Sequence, residues 1–226
     1  MRYAIYYLPE ETSTLWRFGS AVIGYDSVSM KPVEHLKRDI ADDLSVITQE
    51  PRTYGFHATI KAPFRLAPGV SEAVFVEAVQ NFASQEKAID IGNLNVRSIG
   101  SFVALTPRPN DALQDLAARC VQAFEPFRAP MTPDERAKRL RSPLTLKQTE
   151  LMDAWGYPYV FEEFRFHMTL TSSLTPEAMP PVVEALAVSY AKIAAAASVS
   201  SLCICAQPQG ERFRLLRRFP LRPMNL

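Results

Sequence analysis

The hydrophobic pattern changes period several times along the chain. Arg2 to Leu8 is rich in Tyr and Ile and reads as a strand. Glu11 to Ile23 has helical spacing, with Thr12 or Ser13 at its N-cap and Gly24 beyond its end. Positions 26–50 show no clear period, and Pro32 interrupts them. Gly55 to Lys61 then alternates like a strand. Val70 to Ala83 returns to helical spacing, with Ser71 as cap and Val74, Phe75, Ala78, Val79 and Phe82 on one face. Ile89 to Arg97 and Ser101 to Thr106 read as two strands joined at Ile99-Gly100.

Three helices are predicted next, over Asn110–Phe127, Thr132–Leu140 and Thr145–Trp155. The earlier order then returns. Phe164 to Thr171 reads as a strand and Thr175 to Ala197 as a helix whose start Pro176 and Pro180-Pro181 delay or kink. Val199 to Ala206 and Arg212 to Phe219 read as strands with a turn near Gln209-Gly210. A single spacing of 110 residues relates His57 to His167 and Phe102 to Arg212. The prediction is one α+β domain over 1–226, built as a bilobal duplication of β-α-β-β units with a central groove. The lobes are expected at 1–107 and 160–226, with a helical insert at 108–159.

Two of the three histidines occupy matched places, in Tyr54-Gly-Phe-His57-Ala-Thr59-Ile-Lys61 and in Phe164-Arg-Phe-His167-Met-Thr169-Leu-Thr171. Alternate residues of a strand share a face. His57, Thr59 and Lys61 are therefore expected on one face, and Arg165, His167, Thr169 and Thr171 on the corresponding one. Paired across a pseudo-twofold axis, the polar faces would bring two imidazoles and two hydroxyls together. Histidine titrates near pH 6.5, so one ring can take a proton while the other gives one. Hydroxyls can donate to non-bridging oxygens whose charge rises in the transition state. That chemistry suits a phosphodiester. His57, Thr59, His167 and Thr169 are the candidate catalytic residues. Tyr54, Lys61, Arg165 and Thr171 are the candidate substrate contacts, and Arg52 and Arg65 read as surface charges. His35 has no matched partner and reads as structural.

Composition narrows the picture further. Of 226 residues, 25 are Lys or Arg and 24 Asp or Glu, a formal charge of +1 that argues against long nucleic acid as partner. Three cysteines do not make a disulfide framework and suit a reducing, cytoplasmic setting. Cys203 and Cys205 read as small buried hydrophobes rather than metal ligands. No cofactor, metal or membrane partner is expected. No Gly-x-Ser-x-Gly elbow, Walker A loop or Gly-x-Gly-x-x-Gly occurs.

The paired His-x-Thr motifs in a duplicated chain resemble the two-histidine (2H) phosphoesterase superfamily. The stretches Tyr54–Phe64, Trp155-Gly-Tyr-Pro-Tyr159 and Phe164–Leu170 resemble, more narrowly, a branch encoded in bacterial phosphonate-utilisation operons. The resemblance implies a bilobal fold and metal-independent chemistry at cyclic or 2′-linked phosphates, with His167 as base and His57 as acid. It points to a small phosphorylated substrate, 5-phosphoribosyl 1,2-cyclic phosphate. In that branch a Gly-Arg pair follows the second motif, where this chain has Ser172-Ser173. Two alternatives stay open: an RNA 2′,3′-cyclic phosphodiesterase or 2′–5′ ligase-like enzyme, and a non-catalytic module that binds a phosphate ligand or nucleotide. The basic and aromatic strand Arg212–Arg218 keeps short RNA among the partners.

Overall fold

The computed structural model describes residues 1–36, 43–194 and 196–224. In chain order the elements are β1 (Arg2–Tyr7), α1 (Thr14–Ile23), β2 (Tyr25–Asp26), β3 (Lys31–Pro32), α2 (Leu44–Ile47) and α3 (Gln49–Arg52). Next come β4 (Ala58–Phe64), α4 (Glu72–Gln85), β5 (Ile89–Gly92), β6 (Asn95–Ile99), β7 (Phe102–Thr106) and α5 (Asp111–Ala123). The rest are α6 (Pro133–Arg139), α7 (Leu146–Trp155), β8 (Met168–Thr169), α8 (Met179–Ala191), β9 (Ala197–Val199), β10 (Ser201–Gln207) and β11 (Arg214–Pro220).

The caps fall where the sequence places them. The Ser13 and Ser71 hydroxyls accept from Trp16 N and Val74 N, and Thr132 and Thr145 form reciprocal capping boxes with Glu135 and Gln148. Other bounds differ for local reasons. The expected strand 89–97 breaks at Gly92, which has φ +58°, into β5 and β6. The helix expected from Thr175 starts only at Met179, with Pro180 and Pro181 in its first turn. It ends at Ala191 because Ala197–Val199 pairs with β5. Residue 195 of that expected helix, and 37–42 of the unpatterned segment, lie outside the described residues.

Seven strands form one antiparallel sheet in the order β11-β10-β1-β4-β8-β7-β6. This order corrects the lobes expected at 1–107 and 160–226. The strands after the first histidine motif, β6 and β7, join β8 of the second. Those after the second, β10 and β11, join β1 and β4 of the first. The helices follow the same exchange: α4 packs on β10 and β11, and α8 on β6 and β7. Each half of the sheet thus draws on both repeats, so no cut in the chain separates the halves. Phe75, Val79, Leu116, Val182 and Leu186 come from α4, α5 and α8 and pack into one continuous core, fully buried.

One close approach fixes the entry to β4. Gly19 of α1 faces the buried ring of Phe56, and a Cβ there would lie 2.2 Å from that ring. Gly19→Ala must therefore displace the residue next to His57. It is expected to destabilise the fold by about 1–3 kcal/mol, read as a lowered midpoint in thermal or denaturant unfolding.

Candidate active site

β4 and β8 pair at Ala58 and Met168, both fully buried. Continued by one residue each way, this antiparallel register sets His57 opposite Thr169 and Thr59 opposite His167. Side chains directly opposite in such a pair have Cβ atoms about 4.5–5.5 Å apart. The two motifs therefore lie side by side in one sheet, each histidine beside the other motif's threonine. All four residues line a groove of about 400 Å³.

Both rings are oriented in the same way. His57 Nδ1 donates to the Gly55 carbonyl at 2.8 Å, and His167 Nδ1 donates to the Arg165 carbonyl at 2.7 Å. A carbonyl only accepts, so each neutral ring carries its proton on Nδ1 and has a free lone pair on Nε2. Gly55 takes φ +78°, with Ser27 Cβ 2.6 Å from where its own Cβ would be, so glycine is required there. The Thr59 hydroxyl lies 3.2 Å from His57 Nε2.

Aromatic rings pack around His57. Tyr6 of β1 stacks on it with centroids 3.8 Å apart, and Tyr54 lies at 6.2 Å. Phe213 stacks on Tyr54 at 5.4 Å and reaches Tyr6 at 5.9 Å. Burial in this setting lowers the His57 pKa to about 4, and the nearby His167 adds to the fall. Burial lowers His167 as well. Both shifts favour neutral imidazoles at pH 7.

The substrate contacts expected from strand parity divide. Tyr54 lies in the groove wall. Lys61 does not reach it. The β1–β4 register slips between Tyr6–Thr59 and Ile5–Lys61, which makes Ile60 a bulge and turns Lys61 to the helix-covered face. There Lys61 is 4% exposed, and its ammonium donates to the Val121 carbonyl at 3.0 Å and Glu125 at 3.2 Å. Thr171 is also turned away. β8 ends at Thr169, the amides of Leu170 and Thr171 both donate to the Val103 carbonyl, and the Thr171 hydroxyl accepts from Val103 N at 2.9 Å. Arg165 contributes its carbonyl to His167, while its side chain lines an adjoining cavity of about 550 Å³ that also reaches His167 and Thr59. Ser172 accepts from Glu50 N and Ser173 bonds Ser101, tying the end of the second motif to neighbouring loops.

His35 donates from Nδ1 to Val22 O and meets Arg52 at Nε2, away from the groove, as its structural reading implied. Arg52 is not a plain surface charge: it also bonds Ile23 O, Ser45 O and Thr48. The cations of Arg212–Arg218 do not line the groove. Arg218 is bound to Leu8 O, Pro9 O, Ser201 and Glu10, and Arg212 lies over Tyr25.

Sequence reasoning missed the outer wall. Arg2 and Tyr6 come from β1, and Arg128, Met131, Glu135, Lys138, Arg139 and Tyr157 from the insert. Parity within β1 offered a signal, since Arg2 and Tyr6 share a face. Within the insert only the Trp155–Tyr159 stretch, which contains Tyr157, offered one; the placement of the rest depends on tertiary contacts. Arg65 pairs with Glu135 at 3.1 Å and lowers that carboxyl to about 2. Among the described residues no group of three or more His, Cys, Asp or Glu could hold a metal ion, and no helix is long and apolar enough to cross a membrane.

Fold and site together define an antiparallel α+β protein with paired His-Thr motifs on one groove. Residues 59–214 match the family described as "Protein of unknown function (DUF1045)", and the chain belongs to that family. It is 42% identical over 176 residues to a Janthinobacterium sp. (strain Marseille) protein named "Ribose 1,5-bisphosphate phosphokinase PhnN", covering 76% of this chain and 39% of the relative. A Laribacter hongkongensis (strain HLHK9) protein of the same name is 34% identical over 219 residues, covering 96% and 51%. The chain thus spans about half or less of the length of these curated relatives. Among solved structures, TT0787 of Thermus thermophilus gives a TM-score of 0.46 at 15% identity, covering 100% of both chains. E. coli LigT complexed with 3′-AMP gives 0.45 at 14% identity, covering 97% of both.

The His57 pKa sets a pH-dependent stability term. Its folded value of about 4 lies below the unfolded 6.5. The unfolded chain therefore takes up the proton first, and this contribution is present above pH 6.5 and lost as pH falls towards 4. Between those limits the wild type should lose stability more steeply than His57→Asn, by up to about 3 kcal/mol. Parallel denaturant titrations across that range measure the difference in slope.

Proposed function

We propose that the groove is the active site of a metal-independent two-histidine phosphodiesterase acting on a small cyclic phosphate. The observation that carries this reading is the reciprocal register of the two motifs. It sets two imidazoles, each with Nε2 unprotonated and that of His57 held by the Thr59 hydroxyl, beside two hydroxyls on one face of a sheet. A phosphate between them meets a base on one side, an acid on the other and a hydroxyl donor beside each.

We assign the roles from the setting of His57. His57, lowered to about 4, stays neutral across the neutral pH range and can take a proton from water. It is the base, and His167 is the acid, the reverse of the order that the family resemblance implies. His57 Nε2 takes a proton from water as the water oxygen bonds to phosphorus. The P–O bond to the leaving oxygen breaks, and His167 Nε2 delivers its proton to that oxygen. Water is consumed and one monoester and one hydroxyl result. Thr59 and Thr169 donate to the non-bridging oxygens, where negative charge grows.

The substrate that fits best is 5-phosphoribosyl 1,2-cyclic phosphate, in phosphonate catabolism. Opening its ring at O2 leaves ribose 1,5-bisphosphate, the compound in the name of both curated relatives. Those longer proteins would then join two consecutive steps in one chain.

His57→Ala and His167→Ala should each lower turnover of the cyclic phosphate by roughly 10²–10⁴-fold, and EDTA should leave it unchanged. Loss of activity in EDTA with recovery on adding a divalent metal would contradict the scheme. In kcat/KM the acid limb should fall near pH 4 and the alkaline limb below 6.5, the free-protein limits of the two histidines. A bound phosphate raises both values, so the kcat profile should lie at higher pH. On a nitrophenyl phosphodiester, whose leaving group needs no proton, His167→Ala should retain more activity than His57→Ala. The opposite order would return the base to His167.

A further inference from the structure

The groove holds more positive charge than the reacting phosphate uses, and it lies in a definite place. Of the cationic residues in its walls, Arg65 pairs with Glu135, Arg128 pairs with Glu125, which Lys61 shares, and Lys138 is exposed to solvent. Arg2 and Arg139 have no carboxylate partner among the described residues. Arg2 donates to the neutral amide oxygen of Gln207 at 2.9 Å through Nε, and its guanidinium lies 5.7 Å from the Phe213 ring. Arg139 lies 5.2 Å over the ring of Tyr157. These contacts hold both guanidinium groups in place and leave neither in direct contact with a carboxylate.

Two separate parts of the fold place them in the same groove wall. On β1, Arg2 and Tyr6 share the groove face four residues apart, about 13 Å along the strand. Tyr6 stacks on His57, so Arg2 marks the end of the groove away from the histidines. On α6, Glu135 and Arg139 are one turn apart on one face. Glu135 pairs with Arg65 at the groove edge, while Arg136 turns outward to Asp153 of α7 at 2.7 Å. That fastening directs Arg139 into the groove. Burial and the Arg2 charge both weigh on Arg139, so the two cations feel each other. Like charges held together in a half-buried site without a counter-charge favour an anion between them.

We infer that Arg2 and Arg139 form a second subsite, for a phosphomonoester carried by the substrate one sugar's length from the cyclic phosphate. This rests on the phosphodiesterase reading of the histidines and adds to it the residues that choose the substrate. The guanidinium groups bind the dianion in the ground state and in the transition state alike and take no part in the proton transfers. A sugar phosphate and a 5′-phosphorylated nucleotide share this chemistry.

The test compares kcat/KM of the full chain on two matched pairs. One is ribose 1,2-cyclic phosphate with and without a 5-phosphate. The other is a nucleoside 2′,3′-cyclic phosphate with and without a 5′-phosphate. The wild type should prefer the phosphorylated member by about 10²-fold, and Arg2→Gln and Arg139→Gln should each reduce that ratio at least tenfold. Arg139→Lys, which keeps the charge without the fork, should fall between. Preference within the ribose pair alone identifies a sugar phosphate, and preference in both identifies the phosphate whatever its carrier. Equal turnover of both members, or variants that keep the wild-type ratio, overturns the subsite while hydrolysis itself upholds the histidines. If no cyclic phosphate is turned over, the histidine reading fails, and calorimetry with ribose 5-phosphate decides the subsite. Wild-type binding weakened at least tenfold by Arg139→Gln upholds it. Equal binding by both, or none, overturns it.

Discussion

The site depends on one antiparallel residue pair. Among the described residues, Ala58 opposite Met168 is the only pairing of β4 with β8, and it joins the two halves of the sheet. Both residues point into the core, so a slip of one residue would bury the histidine face and expose the apolar one. The exchange of β6–β7 and β10–β11 between the repeats reinforces this. β7 holds β8 on its far side, and β1 and β10 hold β4 on the other. Neither motif can shift without breaking a ladder that the other repeat helps to build.

Within that frame the chemistry follows from desolvation. Each ring donates Nδ1–H to the carbonyl two residues before it, which fixes the tautomer and presents Nε2 to the groove. Tyr6 and Tyr54 pack about His57 and remove water from it, which keeps the ring neutral. On the proposed reading, an anionic phosphate would supply the charge that lets one ring hold a second proton. Ser172 and Ser173, just after the second motif, bind neighbouring loops and fasten its end.

Much of the site could be read from the chain. Two His-x-Thr motifs in matched contexts identified four residues that do come together. The Tyr and Ile content of Arg2–Leu8 marked β1 as a strand, and Tyr3 to Leu8 are all buried. Parity failed at Lys61 and Thr171 because it presumes an unbroken strand. A bulge at Ile60 and the early end of β8 each reversed a side chain, and both arise from tertiary pairing. The lobes were misjudged for the same reason: periodicity shows that a strand exists, not which neighbour it joins. The pattern predicts a helix over Thr132–Leu140 but not where Arg139 on it lies. Its role becomes visible only once Arg65–Glu135 and Arg136–Asp153 fix α6 against the groove.

The central claim is that two neutral, Nδ1-protonated imidazoles share one phosphate and one of them gains its second proton on binding. Nitrogen-15 NMR of histidine-labelled protein at pH 7, before and after addition of inorganic phosphate, measures this directly. The account predicts that His57 and His167 both show the Nδ1–H tautomer in the free protein and that phosphate converts one ring, His167, to the doubly protonated form. Nε2–H tautomers in the free protein, or rings that do not respond to phosphate at saturation, would contradict it.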